Sequence, residues 1–128
     1  MTHDINYERY ELPFEIKNCN EFADRNNITL TLCQSNIEGE LVNEIQKSKN
    51  KQDGIILNAG AYTHTSIAIM DALIATQVPT VEVHISNIYH RESFRHISYI
   101  SKATIGQICG FGIYGYSMAL DAIIQNNL

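Results

Sequence analysis

Glu82 and His84 are the residues of this 128-residue chain whose types and spacing are best suited to chemistry. They lie in a stretch, residues 81–85, that reads as a β-strand, on which side chains two positions apart share a face. A carboxylate beside an imidazole fixes the tautomer of the ring and raises its proton affinity. Such a ring carries a proton that it can donate as a general acid. A buried pair that only stabilises the fold is the alternative interpretation of these two residues.

Strands and helices are predicted to alternate along the chain. Apolar residues at helical spacing and short β-rich runs give these elements: a helix over 11–25, a strand over 28–33, a helix beginning near Ser35, a strand over 54–57, a helix over 65–76, strands over 79–85 and 104–109, and a helix over 113–125. The strands are apolar on both faces, which is typical of a parallel sheet covered on both sides. We therefore predict one α/β domain over residues 1–128.

Polar side chains follow three of these strands, at 34–36, 58–64 and 84–87. Ligands of parallel sheets bind outside the carboxyl ends of the strands. We expect the three strand ends to be adjacent, so that their amides, hydroxyls and two imidazoles lie together. The sequence therefore predicts a binding site at this edge of the sheet.

Composition and charge limit the classes of function. The chain is 45% hydrophobic and 18% charged, which is typical of a globular protein, and its formal net charge of −5 argues against nucleic-acid binding. No apolar run reaches membrane-spanning length, and the N-terminus does not read as a signal peptide. Three cysteines without a CxxC pattern indicate reduced thiols, so we expect a cytoplasmic protein.

Several motifs occur in an order that closely resembles the type II 3-dehydroquinate dehydratases, small flavodoxin-like lyases of the shikimate pathway, which leads to chorismate and the aromatic amino acids. The motifs are Gln34-Ser35-Asn36-x-Glu38-Gly39-Glu40, Asn58-Ala59-Gly60-Ala61-Tyr62-Thr63-His64-Thr65-Ser66, Asp71-Ala72, Glu82-Val83-His84-Ile85-Ser86-Asn87, Arg91-Glu92-Ser93-Phe94-Arg95 and Gly110-Phe111-Gly112-Ile113-Tyr114-Gly115-Tyr116. The resemblance implies a three-layer α/β/α sandwich and dehydration of 3-dehydroquinate to 3-dehydroshikimate by anti elimination through an enolate. It also implies no cofactor or metal, and a homo-oligomer that is a dodecamer built from trimers.

The resemblance also implies residue roles. His84 would be the general acid, Glu82 its orienting carboxylate and Arg91 a support for the mobile lid. The base would be a lid tyrosine, which counting back from Gln34 places at Tyr7. A free tyrosine has a pKa of about 10 and must have it lowered by nearby cations before it can act near neutral pH. Six further residues would bind the substrate, Asp71 by reaching the site of a neighbouring subunit: Asn58, His64, Asp71, Ile85, Ser86 and Arg95.

The N-terminal region departs from the family pattern. Members begin with a strand and a Gly-Pro-Asn-Leu-Asn-like loop, followed by a lid arginine five residues before the tyrosine. Here that position is Thr2, and Tyr10 is a rival to Tyr7 as the base. We therefore expect an N-terminally truncated chain in which the first, central strand of the sheet is missing. The alternative function is a non-catalytic substrate-binding or assembly remnant without a working lid.

Two other patterns, one of glycines and one of histidines, do not indicate a different function. The spacing Gly110-x-Gly112-x-x-Gly115 fits a dinucleotide fingerprint, which also needs an acidic residue about 20 positions further on. Close packing of a helix on a strand is the interpretation we prefer for these glycines. His84, His90 and His96 are spaced six apart, which is neither a helix face nor a zinc pattern.

Overall fold

A computed structural model of the chain describes residues 2–5 and 21–126. Five strands form one sheet in the order β2-β1-β3-β4-β5, and every neighbouring pair is parallel. The strands are β1 (Thr2–Ile5), β2 (Thr31–Cys33), β3 (Ile55–Asn58), β4 (Thr80–His84) and β5 (Gly106–Cys109). This is the strand order of flavodoxin-like folds, so the predicted fold class is confirmed.

Helices flank this sheet. Residues 21–25 are helical, while residues 11–20 of the helix predicted over 11–25 lie outside the described residues. The complete helices among the described residues are α1 (Glu38–Lys47), α2 (Ile67–Thr76) and α3 (Tyr114–Asn126), close to the predicted positions. Four short 3₁₀ helices lie in the connections: Gly60–His64, Ile88–His90, Ser93–Arg95 and Ile100–Ala103. Among the residues described, no helix has both the length and the apolar character needed to cross a membrane.

The expectation that the central strand is missing is wrong for this structure. Residues Thr2–Ile5 fill the central position, paired with Thr31–Cys33 on one side and with Ile55–Asn58 on the other. A polar sequence can serve there because strand pairing uses backbone N–H and C=O groups, which every residue except proline supplies in full. An empty central position would leave the facing edges of β2 and β3 unpaired. The departure of the N-terminal region from the family pattern therefore does not leave this position of the sheet empty.

Two hydrophobic clusters cover the two faces of the sheet. Alternation along β3 sends Ile56 into one cluster, with α3 and helical residue Ala23, and sends Ile55 and Leu57 into the other, with α1 and α2. On β4, Val81 and Val83 belong to the first cluster. Their neighbours Glu82 and His84 therefore share the opposite face, the one covered by α1 and α2.

Local interactions fix the elements around the site. Ser66 caps α2 by accepting a hydrogen bond from the backbone N–H of Ile69 at 2.9 Å. At Gly115, the first turn of α3 comes so close to the sheet that a Cβ atom would lie 3.2 Å from Val83 and 3.4 Å from Ile108. The preferred interpretation of the glycine pattern, close helix–strand packing, is confirmed at this position.

Candidate active site

A cavity of about 330 Å³ opens at the carboxyl ends of β3 and β4. Larger cavities of about 740 and 800 Å³ lie elsewhere on the surface, but their walls contain no histidine. Seven of the residues predicted for the site line the smaller cavity: Asn58, His64, His84, Ile85, Ser86, Arg91 and Arg95. Its walls thus combine two imidazoles, two guanidinium groups, an amide and a hydroxyl, a set suited to a small anionic substrate that carries hydroxyl groups.

Glu82 lies behind His84 and is fully buried. Its Oε2 atom is 2.5 Å from His84 Nε2. Burial alone would raise the pKa of this carboxyl group, but the hydrogen bonds from His84, Ser101 and Gln107 and the charge of His84 together hold the pKa of Glu82 below its ordinary value. The carboxylate form is therefore the stable one, and the predicted Glu82–His84 pair is confirmed as a contact.

The Glu82–His84 pair fixes which ring nitrogen of His84 can serve a substrate. An ionised carboxylate only accepts hydrogen bonds, so His84 Nε2 must carry a hydrogen atom. The other nitrogen, Nδ1, is the one left to transfer a proton. His84 is 5% exposed and lines the cavity. Its ring is therefore buried except where it borders the cavity.

His64 uses the other ring nitrogen for its contact with the protein. Its Nδ1 lies 2.8 Å from the carbonyl oxygen of Ile97. A carbonyl oxygen cannot donate, so Nδ1 donates and the neutral ring offers Nε2 as an acceptor. The ring stands at the end of the 3₁₀ helix that follows β3, and it is half-buried in the cavity wall. His64 can therefore accept a hydrogen bond from a substrate hydroxyl group.

Asn58 is the last residue of β3 and is held on both sides of its amide. Its Nδ2 donates to the hydroxyl of Tyr116 at 2.8 Å, and its Oδ1 accepts from the N–H of Gly60 at 3.1 Å. Tyr116 lies on α3 and is fully buried. The two contacts fix the orientation of the amide while leaving it one N–H and one lone pair for a ligand.

Ile85 and Ser86 form the turn that leaves β4, and the segment after β5 fixes their backbone. The N–H of Gly112 donates to the carbonyl of Ile85 at 3.0 Å, and the thiol of Cys109 donates to the carbonyl of Ser86 at 3.4 Å. Gly110 adopts a φ of 94°, which L side chains rarely adopt. This glycine lets the chain turn tightly against the end of β4.

Glu92 joins the two arginines of the cavity. Its Oε1 lies 3.0 Å from Nε of Arg95 and 3.8 Å from Nε of Arg91. A hydrogen bond from its own backbone N–H, followed by that from Arg95, holds the pKa of the Glu92 carboxyl below its ordinary value. Glu92 is exposed, so its ion pairs with the two arginines are weak ones.

Two predicted site residues lie outside this cluster. Asp71 is exposed on α2 and does not line the cavity. Tyr7, the predicted base, and its rival Tyr10 lie outside the residues that the structure describes, whereas Thr2, at the expected place of the lid arginine, belongs to β1.

The expectation that three adjacent strand ends form the site is also corrected. β1 lies between β2 and β3, so residues 34–36 are one strand further away than we expected. Gln34 and Ser35 line a separate cavity with residues of α1. Their link to the site is indirect: the hydroxyl of Tyr62 donates to the carbonyl of Asn36 at 2.8 Å.

Sequence reasoning missed the residues that support the site from behind. They are Ser98, Ser101 and Gln107, which donate hydrogen bonds to Glu82, and Tyr116, which accepts one from Asn58. Only Gln107 had a usable signal, because a polar residue in the middle of an apolar strand needs a buried partner.

Comparisons with known proteins agree with this geometry. A family model described as "Dehydroquinase class II" matches residues 4–124. The chain is 53% identical over 109 residues to a 3-dehydroquinate dehydratase of Nitratiruptor sp., covering 85% of this chain and 70% of that protein. It is 55% identical over 105 residues to a 3-dehydroquinate dehydratase of Gloeothece citriformis, covering 82% of this chain and 69% of that protein.

Solved structures show the same fold. The type II dehydroquinase of Butyrivibrio crossotus superposes with a TM-score of 0.88 at 38% identity, covering 96% of both chains. That of Propionibacterium acnes superposes with a TM-score of 0.85 at 28% identity, covering 97% of this chain and 96% of the other.

Proposed function

The chain belongs to the class II dehydroquinase family, and from that premise we propose that it is a hydro-lyase which converts 3-dehydroquinate to 3-dehydroshikimate in the shikimate pathway. The observation that carries the proposal is the Glu82–His84 pair, with its 2.5 Å contact, in the wall of a cavity that also contains His64, Asn58 and Arg95. The pair supplies an oriented acid, and the other side chains supply contacts for a polyhydroxy acid.

The reaction removes a proton and a hydroxyl group from neighbouring carbon atoms. The base takes the proton α to the ketone, and the electron pair of the broken C–H bond moves into an enolate. Collapse of the enolate forms the carbon–carbon double bond and breaks the bond to the leaving hydroxyl. His84 gives that oxygen a proton from Nδ1, and water leaves. Tyr7 is our candidate for the base, with Arg91 supporting the lid that carries it.

The substrate is held at both ends in this proposal. The backbone N–H of Ile85 and the hydroxyl of Ser86 bind its carboxylate, as suits the turn that follows β4. Asn58 and His64 bind ring hydroxyl groups, each through an atom that its other contacts leave available. Arg95 binds a further hydroxyl, since its Nε is already used by Glu92 and its other N–H groups can still donate.

Asp71 belongs to the proposal as a contribution to a second subunit. It lies exposed on α2, away from the cavity of its own chain. We assign it to the site of a neighbour in a homo-oligomer, a dodecamer built from trimers, working in the cytoplasm without nucleic acid or membrane. Light scattering coupled to gel filtration tests the assembly, and a monomeric mass for an active protein would remove Asp71 from the site.

The decisive experiment follows the ultraviolet absorbance of the conjugated enone product after purified protein is mixed with 3-dehydroquinate. We expect a steady rise whose rate is proportional to the protein concentration. No rise, together with calorimetric evidence that the substrate still binds, would replace the lyase with a substrate-binding protein. If the absorbance does not rise and calorimetry detects no binding of the substrate, the proposal is overturned altogether.

A further inference from the structure

We propose that Ser98, Ser101 and Gln107 are positioning residues that keep Glu82 ionised and aimed at His84. We call these three residues the carboxylate cage. The inference rests on the proposed function for its kinetic consequence, but the structural part concerns only the protonation state of Glu82.

Every contact of the carboxylate cage with Glu82 is a donated hydrogen bond. The hydroxyl of Ser101 donates to Oε1 at 2.8 Å, and the hydroxyl of Ser98 and the amide of Gln107 donate to Oε2 at 2.9 and 3.1 Å. His84 adds a fourth donor, also to Oε2. A carboxylate has about four acceptor positions, two on each oxygen. Oε2 accepts three of the four contacts and Oε1 accepts one.

The protonated form of Glu82 would fit the carboxylate cage poorly. A carboxylic acid must donate its own hydrogen, and the amide group of Gln107 faces Oε2 as a donor. The hydroxyl of Ser98 already accepts from the N–H of Ser101 at 3.1 Å, which turns its own hydrogen towards Glu82. The arrangement thus favours the anion despite complete burial, which would otherwise favour the neutral acid.

The carboxylate cage is built from two separate elements. Gln107 lies directly opposite Glu82 in the register of β5 with β4. Ser98 and Ser101 lie in the segment 97–101, whose Ile97 carbonyl also orients His64. The N–H of Tyr99 secures that segment by donating to the carbonyl of Thr63 at 3.0 Å. One segment therefore positions both imidazoles of the site.

Loss of the Gln107 donor, which lies outside the segment that orients His64, should act on the reaction through Glu82 alone. None of the three residues lines the cavity, so substrate contacts remain. When the pH falls to its raised pKa, Glu82 becomes neutral, no longer attracts a proton to His84 and no longer fixes its tautomer. The expected result is that the acid-side fall of kcat moves up by about one pH unit for one lost hydrogen bond to a charged group, with KM almost unchanged.

The direct test is infrared spectroscopy of the protonated carboxyl C=O stretch, which does not depend on turnover. The band is assigned to Glu82 by its absence in Glu82→Gln and is followed as the pH is lowered. Gln107→Met keeps the length of the side chain and removes the donor without making room for water. Ser98→Ala combined with Ser101→Ala removes both hydroxyls, and Ser101→Thr keeps a hydroxyl at the same place.

We expect the band to appear about one pH unit higher in Gln107→Met than in the unaltered protein, and higher again in the double serine variant. Ser101→Thr should behave like the unaltered protein. Ser48→Ala is the matched control, because it removes a buried hydroxyl that donates to the carbonyl of Ile45 far from Glu82.

The inference is overturned if the Glu82 band titrates at the same pH in all these variants, or if Ser48→Ala moves it as much as Gln107→Met does. It is also overturned if the band moves while the acid-side fall of kcat stays at the same pH, since the carboxylate cage would then have no part in positioning the acid. If the unaltered protein has no activity but the band moves as expected, the proposed function fails and the structural part of the inference stands.

Discussion

The imidazole rings of His64 and His84 lie nearly parallel, with 6.5 Å between their centroids and 20° between their planes. Their outer partners fix them in opposite senses, because His64 uses Nδ1 to bind Ile97 and His84 uses Nε2 to bind Glu82. His64 thus offers Nε2 to a ligand and His84 offers Nδ1. The two histidines are therefore not interchangeable, and only His84 has a carboxylate behind it.

Replacement of His84 by alanine should abolish dehydration while leaving substrate binding largely intact. A general acid typically contributes a factor of about 10²–10⁴ to the rate, so kcat should fall by that amount. The enone absorbance measures turnover and calorimetry measures binding. His90→Ala is the control, since His90 is exposed and does not line the cavity. Retained turnover in His84→Ala would remove this residue from the role of acid.

Tyr7→Phe should remove the base and lower kcat by at least about 10²-fold without a comparable change in substrate affinity. Tyr10→Phe is the matched variant, since Tyr10 is the rival candidate. If Tyr10→Phe loses the activity and Tyr7→Phe keeps it, the base is assigned to Tyr10. If both keep it, neither tyrosine is the base.

Tyr116→Phe tests how Asn58 is held. The variant removes the hydroxyl that accepts from Asn58 Nδ2, so the amide loses one of its two fixed contacts. We expect KM to rise several-fold and the free energy of unfolding to fall by about 1–2 kcal/mol, as is usual for a buried hydrogen bond. Tyr114→Phe is the control, because Tyr114 lies on the same helix with 62% exposure. An unchanged KM in Tyr116→Phe would mean that the orientation of Asn58 does not matter for binding.

Glu82 should make the free energy of unfolding depend on pH below about its ordinary pKa of 4.5. Its pKa is lower in the folded protein than the ordinary 4.5, so its contribution to the free energy of unfolding is fully present above that value. The contribution is lost as the pH falls from there through the folded pKa. Urea denaturation at several pH values should therefore show a shallower acid loss in Glu82→Gln than in the unaltered protein. Glu21→Gln, an exposed carboxyl outside the cavity, should keep the original slope, and equal slopes in all three proteins would contradict the prediction.

Substitution by alanine should have opposite effects on the free energy of unfolding at Gly54 and at Gly39. A Cβ atom at Gly54 would lie 2.5 Å from Cγ2 of Ile123, whereas one at Gly39 meets nothing within 4 Å. Gly54→Ala should therefore lower the free energy of unfolding by about 1–3 kcal/mol through overpacking. Gly39→Ala, in α1, should raise it by roughly 0.5–1 kcal/mol through helix propensity. Urea denaturation measures both, and a Gly54→Ala variant as stable as the unaltered protein would show that Ile123 can move aside.

Much of the fold and part of the site follow from local patterns in the sequence. Period-two alternation places Glu82 and His84 on one face of β4, and they are in contact. Asn58 ends the apolar strand β3 and His64 follows it, and both line the cavity with His84. These predictions succeed because a strand fixes which side chains share a face, and a parallel sheet brings the carboxyl ends of its strands to one edge.

The tertiary structure alone decided the contacts between residues distant in the chain. Gln107 meets Glu82 through the register of β5 with β4, and Tyr116 meets Asn58 across 58 positions of sequence. The polar segment Thr2–Ile5 joins the sheet through its backbone, which no side-chain pattern reveals. Periodicity determines the direction of a side chain within its own element. The partner of that side chain depends on strand register and on loop paths, which are settled only when the whole chain packs.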